Sequence, residues 1–117
     1  MSGKSGTKPR RSSRSAPQQP ELLGAHVSIQ GGVATAPARG AAIGATAIQI
    51  FTKTPNIWRE PELTSEITAA FRDAREAHPV RQIVSHDSYL INLASPDPEL
   101  RARSINSFQS EMQRATA

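Results

Sequence analysis

Residues 82–99 read QIVSHDSYLINLASPDPE, a stretch that contains one complete strand-to-helix transition. Gln82, Ile83, Val84 and Ser85 form a short apolar-centred run that reads as a strand. Residues 86–96 follow as a loop. Asp97 is a natural N-cap, Pro98 suits the first helical position, and Glu99 lies near the positive end of the helix dipole. Beyond it Ile105, Phe108, Met112 and Ala115 recur at helical spacing.

The same grammar appears twice upstream. AIQIFT at 47–52 is β-branched and aromatic and reads as a strand. A loop with Pro55, Trp58 and Pro61 leads to Thr64, an N-cap for an amphipathic helix with Leu63, Ile67, Ala70, Phe71 and Ala74 on one face. His78-Pro79 ends that helix, because a residue before proline avoids the helical region. Earlier still, residues 22–27 read as a buried strand and 28–32 as a glycine-containing turn. Residues 35–43 read as an Ala-rich helix ending near Gly44. Pro37 is tolerated in that helix if Thr35 is its N-cap, since first-turn N–H groups have no intrahelical partner.

The order βαβαβα implies a parallel sheet with right-handed crossovers. Such sheets are normally buried on both faces, and three strands alone leave two open edges. A (β/α)8 barrel has eight such units over ~250 residues. The expected fold class is therefore α/β, the first three βα units of a TIM barrel occupying residues 21–117. The chain stops inside its last helix with no Gly or Pro signal, so a truncated barrel is expected.

The charge of +4 is unevenly placed. Residues 1–20 carry Lys4, Lys8, Arg10, Arg11 and Arg14 and no acid, whereas residues 21–117 carry nine Lys/Arg against ten Asp/Glu. The tail, rich in Ser, Gly and Pro, has too little apolar surface to order itself. It reads as a disordered basic leader or as an arm adding salt-dependent phosphate contacts. Its Arg/Ser composition is shared by transit peptides, but it lacks their apolar residues. No cysteine is present, so any metal must be held by His, Asp or Glu. No apolar run reaches the ~18 residues of a membrane span, and no secretory h-region is found, which makes the cytoplasm the default location.

In barrels of this kind the working groups sit where strands end and loops begin. Two of the three histidines, His26 and His86, fall at such positions, and His78 reads as a surface residue at a helix end. His86 is either a metal ligand or a loop histidine satisfied by local hydrogen bonds. No His-x-x-x-His or similar spacing supplies a second ligand.

GAHVSIQGG (24–32), IFTK (50–53) with Trp58 following, HDSYLINLASP (86–96) and EMQRA (111–115) together resemble the bacterial endonuclease IV family of abasic-site endonucleases. The resemblance covers residues 22–117 and implies a barrel with three zinc ions at its C-terminal face. It also implies cleavage of double-stranded DNA on the 5′ side of an abasic site, leaving a 3′ hydroxyl, by a full-length enzyme that is monomeric. Carried over by position, His86 matches a zinc ligand, and Tyr89 matches a tyrosine that enters the DNA stack, an aromatic-wedge role. The alternative for Tyr89 is packing at the barrel rim with its hydroxyl bonded. His26 and Ser28 lie on the first DNA-facing loop, as rim residues rather than zinc ligands. Lys53 meets phosphate or is simply solvated, and Trp58 anchors its loop.

Two departures stand out. Asn56 occupies the neighbourhood where some family members place an arginine that enters the DNA. The remaining zinc ligands of the family lie on later strands, so the chain alone is expected to be inactive. Two other functions stay open: a non-catalytic nucleic-acid-binding remnant, and a zinc-dependent barrel of the sugar-isomerase type.

Overall fold

The computed structural model describes residues 1–3, 16 and 18–117. Residues 24–117 form three βα units: β1 (Gly24–His26), a 3-10 turn (Val33–Thr35) running into α1 (Ala36–Ala42), β2 (Ala47–Phe51), α2 (Ser65–Glu76), β3 (Gln82–His86) and α3 (Pro98–Thr116). The strands make one parallel sheet in the order β1-β2-β3. Lys4, Lys8, Arg10, Arg11 and Arg14 lie outside the described residues, and with them most of the expected disordered tail. Among the described residues no helix is long and apolar enough to cross a membrane.

The register fixes which side chains share a face. His26 stands beside Gln49 and Gln49 beside Val84, while Phe51 stands beside His86. Because side chains alternate along a strand, His26, Gln49, Phe51, Val84 and His86 line one face. Ile48 and Ile50 occupy the other, where they are buried with Val27, Ala36, Ala45 and Val80. α1 lies against that second face. A Cβ on Gly40 would come within 2.5 Å of Ile48 Cγ2, so the helix approaches more closely than any side chain permits.

Several local expectations hold for the stated reasons. Thr64 Oγ1 accepts the Ile67 N–H at 3.2 Å, and the Asp97 carboxylate accepts the Glu99 N–H at 3.0 Å. Gly44, at φ 74°, closes α1. Its N–H donates to Ala41 O and the Ala45 N–H to Gly40 O, both at 3.0 Å, a Schellman pair of bonds.

Other expectations are corrected. The run at 22–27 yields a strand only at Gly24–His26, with all three residues exposed. Leu22 and Leu23 are also exposed, because β1 pairs on one side only and no described element covers them. Thr35 is the N-cap of α1, as expected, but its side chain caps no N–H. It is already helical, and its hydroxyl donates to Gly32 O at 2.7 Å, closing the 3-10 turn instead. Pro37 does fall in the first turn of α1. His78 is half-buried rather than a surface residue, and its Nδ1–H donates to Ala74 O at 2.7 Å at the end of α2.

α3 departs furthest from its pattern. Ile105 and Met112, two of the apolar residues at helical spacing, are exposed. Ser104, Ser107 and Glu111 are buried, and the Arg114 side chain is 8 % exposed. Their spacing of three or four residues defines one helical face, so the face α3 turns inward is polar.

Candidate functional site

The open face of the sheet gathers an aromatic cluster at the C-terminal ends of the strands. The His26 ring lies 4.6 Å from that of Phe51, and Phe51 lies 4.8 Å from His86. Tyr89, just past β3, lies 5.2 Å from Phe51 and 5.9 Å from His86. The two imidazoles are 5.9 Å apart. Three strands thus deliver two histidines and two aromatic rings to one patch. Tyr89 is 68 % exposed on it.

Both histidines have one ring nitrogen committed. His86 Nδ1 is 2.7 Å from the backbone oxygen of Asp87, and His26 Nδ1 is 3.1 Å from Gln49 Oε1. A carbonyl oxygen only accepts, so each Nδ1 donates, and in the neutral ring Nε2 is the nitrogen that can bind a metal. A backbone carbonyl on Nδ1–H is the usual way a metal-binding histidine is oriented. His86 therefore fits a divalent metal as one donor. Among the described residues no three His, Asp or Glu side chains converge to complete such a centre.

Ser28 is exposed on the first loop, as expected. Its hydroxyl accepts the Gln30 N–H at 3.1 Å, and its carbonyl accepts Arg39 Nη1 at 2.7 Å. Trp58 is half-buried under the Arg103 guanidinium, 4.5 Å from the ring centre, which suits a loop anchor.

Lys53 is a correction. In place of phosphate or solvent it meets protein, and its side chain is only 2 % exposed. Nζ pairs with Glu60 Oε1 at 2.7 Å and donates to Ser107 Oγ at 3.1 Å. Ser107 also donates to Glu60 Oε1 at 2.6 Å, and Arg114 Nη1 lies 2.7 Å from Glu60 Oε2. The signal that could have pointed here is the pair of polar positions on α3 spaced to face the loop. Burial alone raises the Glu60 pKa, but the hydrogen bonds from Lys53, Ser107 and Arg114, with the charge of Arg114, outweigh it and hold it below the usual value.

Glu111 opens the EMQRA segment, but nothing in the sequence pattern gives it a role. It is 2 % exposed and accepts the Ser88 N–H at 2.9 Å. Burial pushes its carboxyl up and Asp87 adds to this, against the opposing pull of the Ser88 N–H, Arg114 and Lys53.

A model of the xylose isomerase-like TIM barrel family matches residues 37–117. The chain belongs to that family. It is 47 % identical over 96 residues to a probable endonuclease 4 of Geobacter sulfurreducens, covering 82 % of this chain and 32 % of that protein. It is 50 % identical over 97 residues to a probable endonuclease 4 of Chlorobium phaeobacteroides, covering 81 % and 34 %. The crystal structure of endonuclease IV from Thermus thermophilus matches with a TM-score of 0.71 at 36 % identity, covering 80 % of this chain and 36 % of that one. The chain thus spans about a third of the length of the curated relatives it matches. The resemblance to endonuclease IV is borne out, and the three βα units are those of a xylose isomerase-like TIM barrel fold.

Proposed function

We propose that these residues are the first three βα units of a zinc-dependent DNA-repair endonuclease that cuts double-stranded DNA 5′ to abasic sites, leaving a 3′ hydroxyl. The observation that carries the reading is the strand end of β3. There a histidine oriented through Nδ1 by Asp87 O stands 5.9 Å from an exposed tyrosine ring. His86 supplies one metal donor, and Tyr89 enters the gap left by the missing base. In this reading His26, 5.9 Å from His86, and Ser28 on the first loop face the duplex from the rim. Zinc, when bound, supplies Lewis acidity and hydroxide at neutral pH. The residues of this chain orient that chemistry. Asp87 O orients His86, Gln49 orients His26, and Phe51 packs against both rings.

In this reading the open face and both sheet edges are completed by further βα units carrying the other zinc ligands, so residues 21–117 alone do not cleave. The complete enzyme acts as a monomer in the cytoplasm.

The test compares binding of the chain to two duplexes of one sequence, with and without a tetrahydrofuran abasic-site analogue. The expected result is preference for the abasic duplex, removed by Tyr89→Ala. In the complete enzyme His86→Ala should lose zinc, counted by metal analysis, together with cleavage. Equal affinity for both duplexes, or a full zinc complement in His86→Ala, refutes the reading.

A further inference from the structure

Tyr89 is exposed, but the backbone that carries it is pinned. Its N–H donates to Pro55 O at 2.9 Å, and the hydroxyl of the preceding Ser88 donates to the same oxygen at 2.6 Å. The third attachment is the Ser88 N–H, which donates to Glu111 Oε1 on α3 at 2.9 Å. Ser88 is 4 % exposed and Glu111 is 2 % exposed, so water does not compete for that bond.

A carboxylate is a costly way to satisfy one amide. Burying a charge with incomplete partners is destabilising, and a neutral side chain of similar volume is often tolerated better. Glu111 Oε2 has no hydrogen-bond partner among the described residues. The side chain's one hydrogen bond thus falls on the residue before Tyr89, while Arg114 and Lys53 act on the carboxylate as nearby charges. The one directed contact of the carboxylate is with that backbone. A charged acceptor also makes a shorter and stronger bond than a neutral one.

We infer that Glu111 is a positioning residue for Tyr89: by locking the Ser88 amide from α3 it presents the exposed ring at the strand ends in one orientation before DNA arrives. The inference rests on the reading of Tyr89 as a DNA contact. A ring held in its bound position avoids the ordering cost that a mobile loop side chain incurs on binding.

The experiment uses the full chain with Glu111→Leu, Glu111→Gln, Tyr89→Ala and the Glu111→Leu/Tyr89→Ala double variant. Amide exchange at Ser88 and Tyr89 is read by NMR, with α2 amides as the internal control. Affinity is read with the tetrahydrofuran duplex. Glu111→Leu is expected to speed Ser88 exchange about tenfold or more, the range for losing a hydrogen bond to a charged group, while α2 stays protected. Its affinity should fall as in Tyr89→Ala, the double variant should fall no further, and Glu111→Gln, which keeps an acceptor oxygen, should restore both. If Glu111→Leu does not fold, Glu111→Asp, which withdraws the oxygen by one methylene, takes its place in the same cycle. Unchanged Ser88 exchange, or losses that multiply in the double variant, overturns the inference. Altered exchange with no preference for the abasic duplex in any variant upholds the backbone lock and overturns the DNA reading instead.

Discussion

Glu60 holds two buried cations at once, and this makes its removal unequal to removal of either partner. Lys53 Nζ and Arg114 Nη1 each lie 2.7 Å from one of its oxygens, and their side chains are 2 % and 8 % exposed. Glu60→Ala leaves both without their ion-pair partner, a change that costs about 3–5 kcal/mol for a buried pair. Lys53→Met removes one cation and its desolvation penalty together, and Glu60 keeps Arg114 and the Ser107 hydroxyl. Its cost is about 1–2 kcal/mol, the loss of a charge-assisted bond partly offset by the buried ammonium no longer needing water. Against a typical domain stability of about 5–15 kcal/mol the difference is readily measured. Urea unfolding followed by far-ultraviolet circular dichroism should show a lower midpoint for Glu60→Ala than for Lys53→Met, with unchanged slope. The Lys53→Met/Glu60→Ala double variant should recover part of the loss. A Glu60→Ala variant no less stable than Lys53→Met refutes the idea that one carboxylate serves both cations.

Other consequences are as direct. The folded-state pKa of Glu111 is raised, so its favourable contribution is complete below the ordinary value of 4.5 and is lost as pH rises through the folded value. Stability of Glu111→Gln relative to the parent should therefore increase from acid to neutral pH, and a flat difference in urea titrations across that range counts against it. Glu60 has the opposite sign: its lowered pKa gives stability present above 4.5 and lost on acidification through the folded value, a dependence that Glu60→Gln should remove from the same titrations. Gly40→Ala should lower the melting temperature, because overpacking of about 1–3 kcal/mol at Ile48 exceeds the ~1 kcal/mol helix gain. Higher stability would show that α1 can retreat. On α3, Met112→Gln should change stability by less than about 0.5 kcal/mol, whereas Ser104→Val, which strands the Asn92 N–H now bonded at 2.9 Å, should cost about 1–3 kcal/mol. Equal effects in chemical denaturation would reverse the assignment of the buried face.

The three βα units are legible in the sequence because each carries its own punctuation. Thr64, Asp97 and Gly44 mark helix ends through local bonds that need no tertiary partner. β2 is legible because its β-branched and aromatic residues suit a sheet, and Ile48 and Ile50 are the ones it buries. The strand-end placement of His26, His86 and Tyr89 follows from those boundaries. Orientation of α3 does not, since periodicity reports that a helix has an apolar stripe but not what lies opposite it. Here the inward positions 104, 107, 111 and 114 meet the polar backbones and side chains of the neighbouring loops, and hydrogen bonding decides the face. Lys53 escapes the sequence for the same reason: a lysine at a strand end gives no sign of a partner seven residues later. Leu22 and Leu23 show the converse, apolar residues that no described element covers.

The carbonyl of Pro55 receives both the Ser88 hydroxyl and the Tyr89 amide, so a single atom rivets the loop after β2 to the loop after β3. Strand-end loops on barrels are commonly regarded as interchangeable parts, each free to diverge without its neighbour. These two are not. Asn56 adjoins the rivet, so exchanging the segment around it for one bearing an arginine would shift the mounting of Tyr89 as well. An engineer grafting new recognition onto this scaffold would have to transplant residues 54–61 and 86–91 as one block.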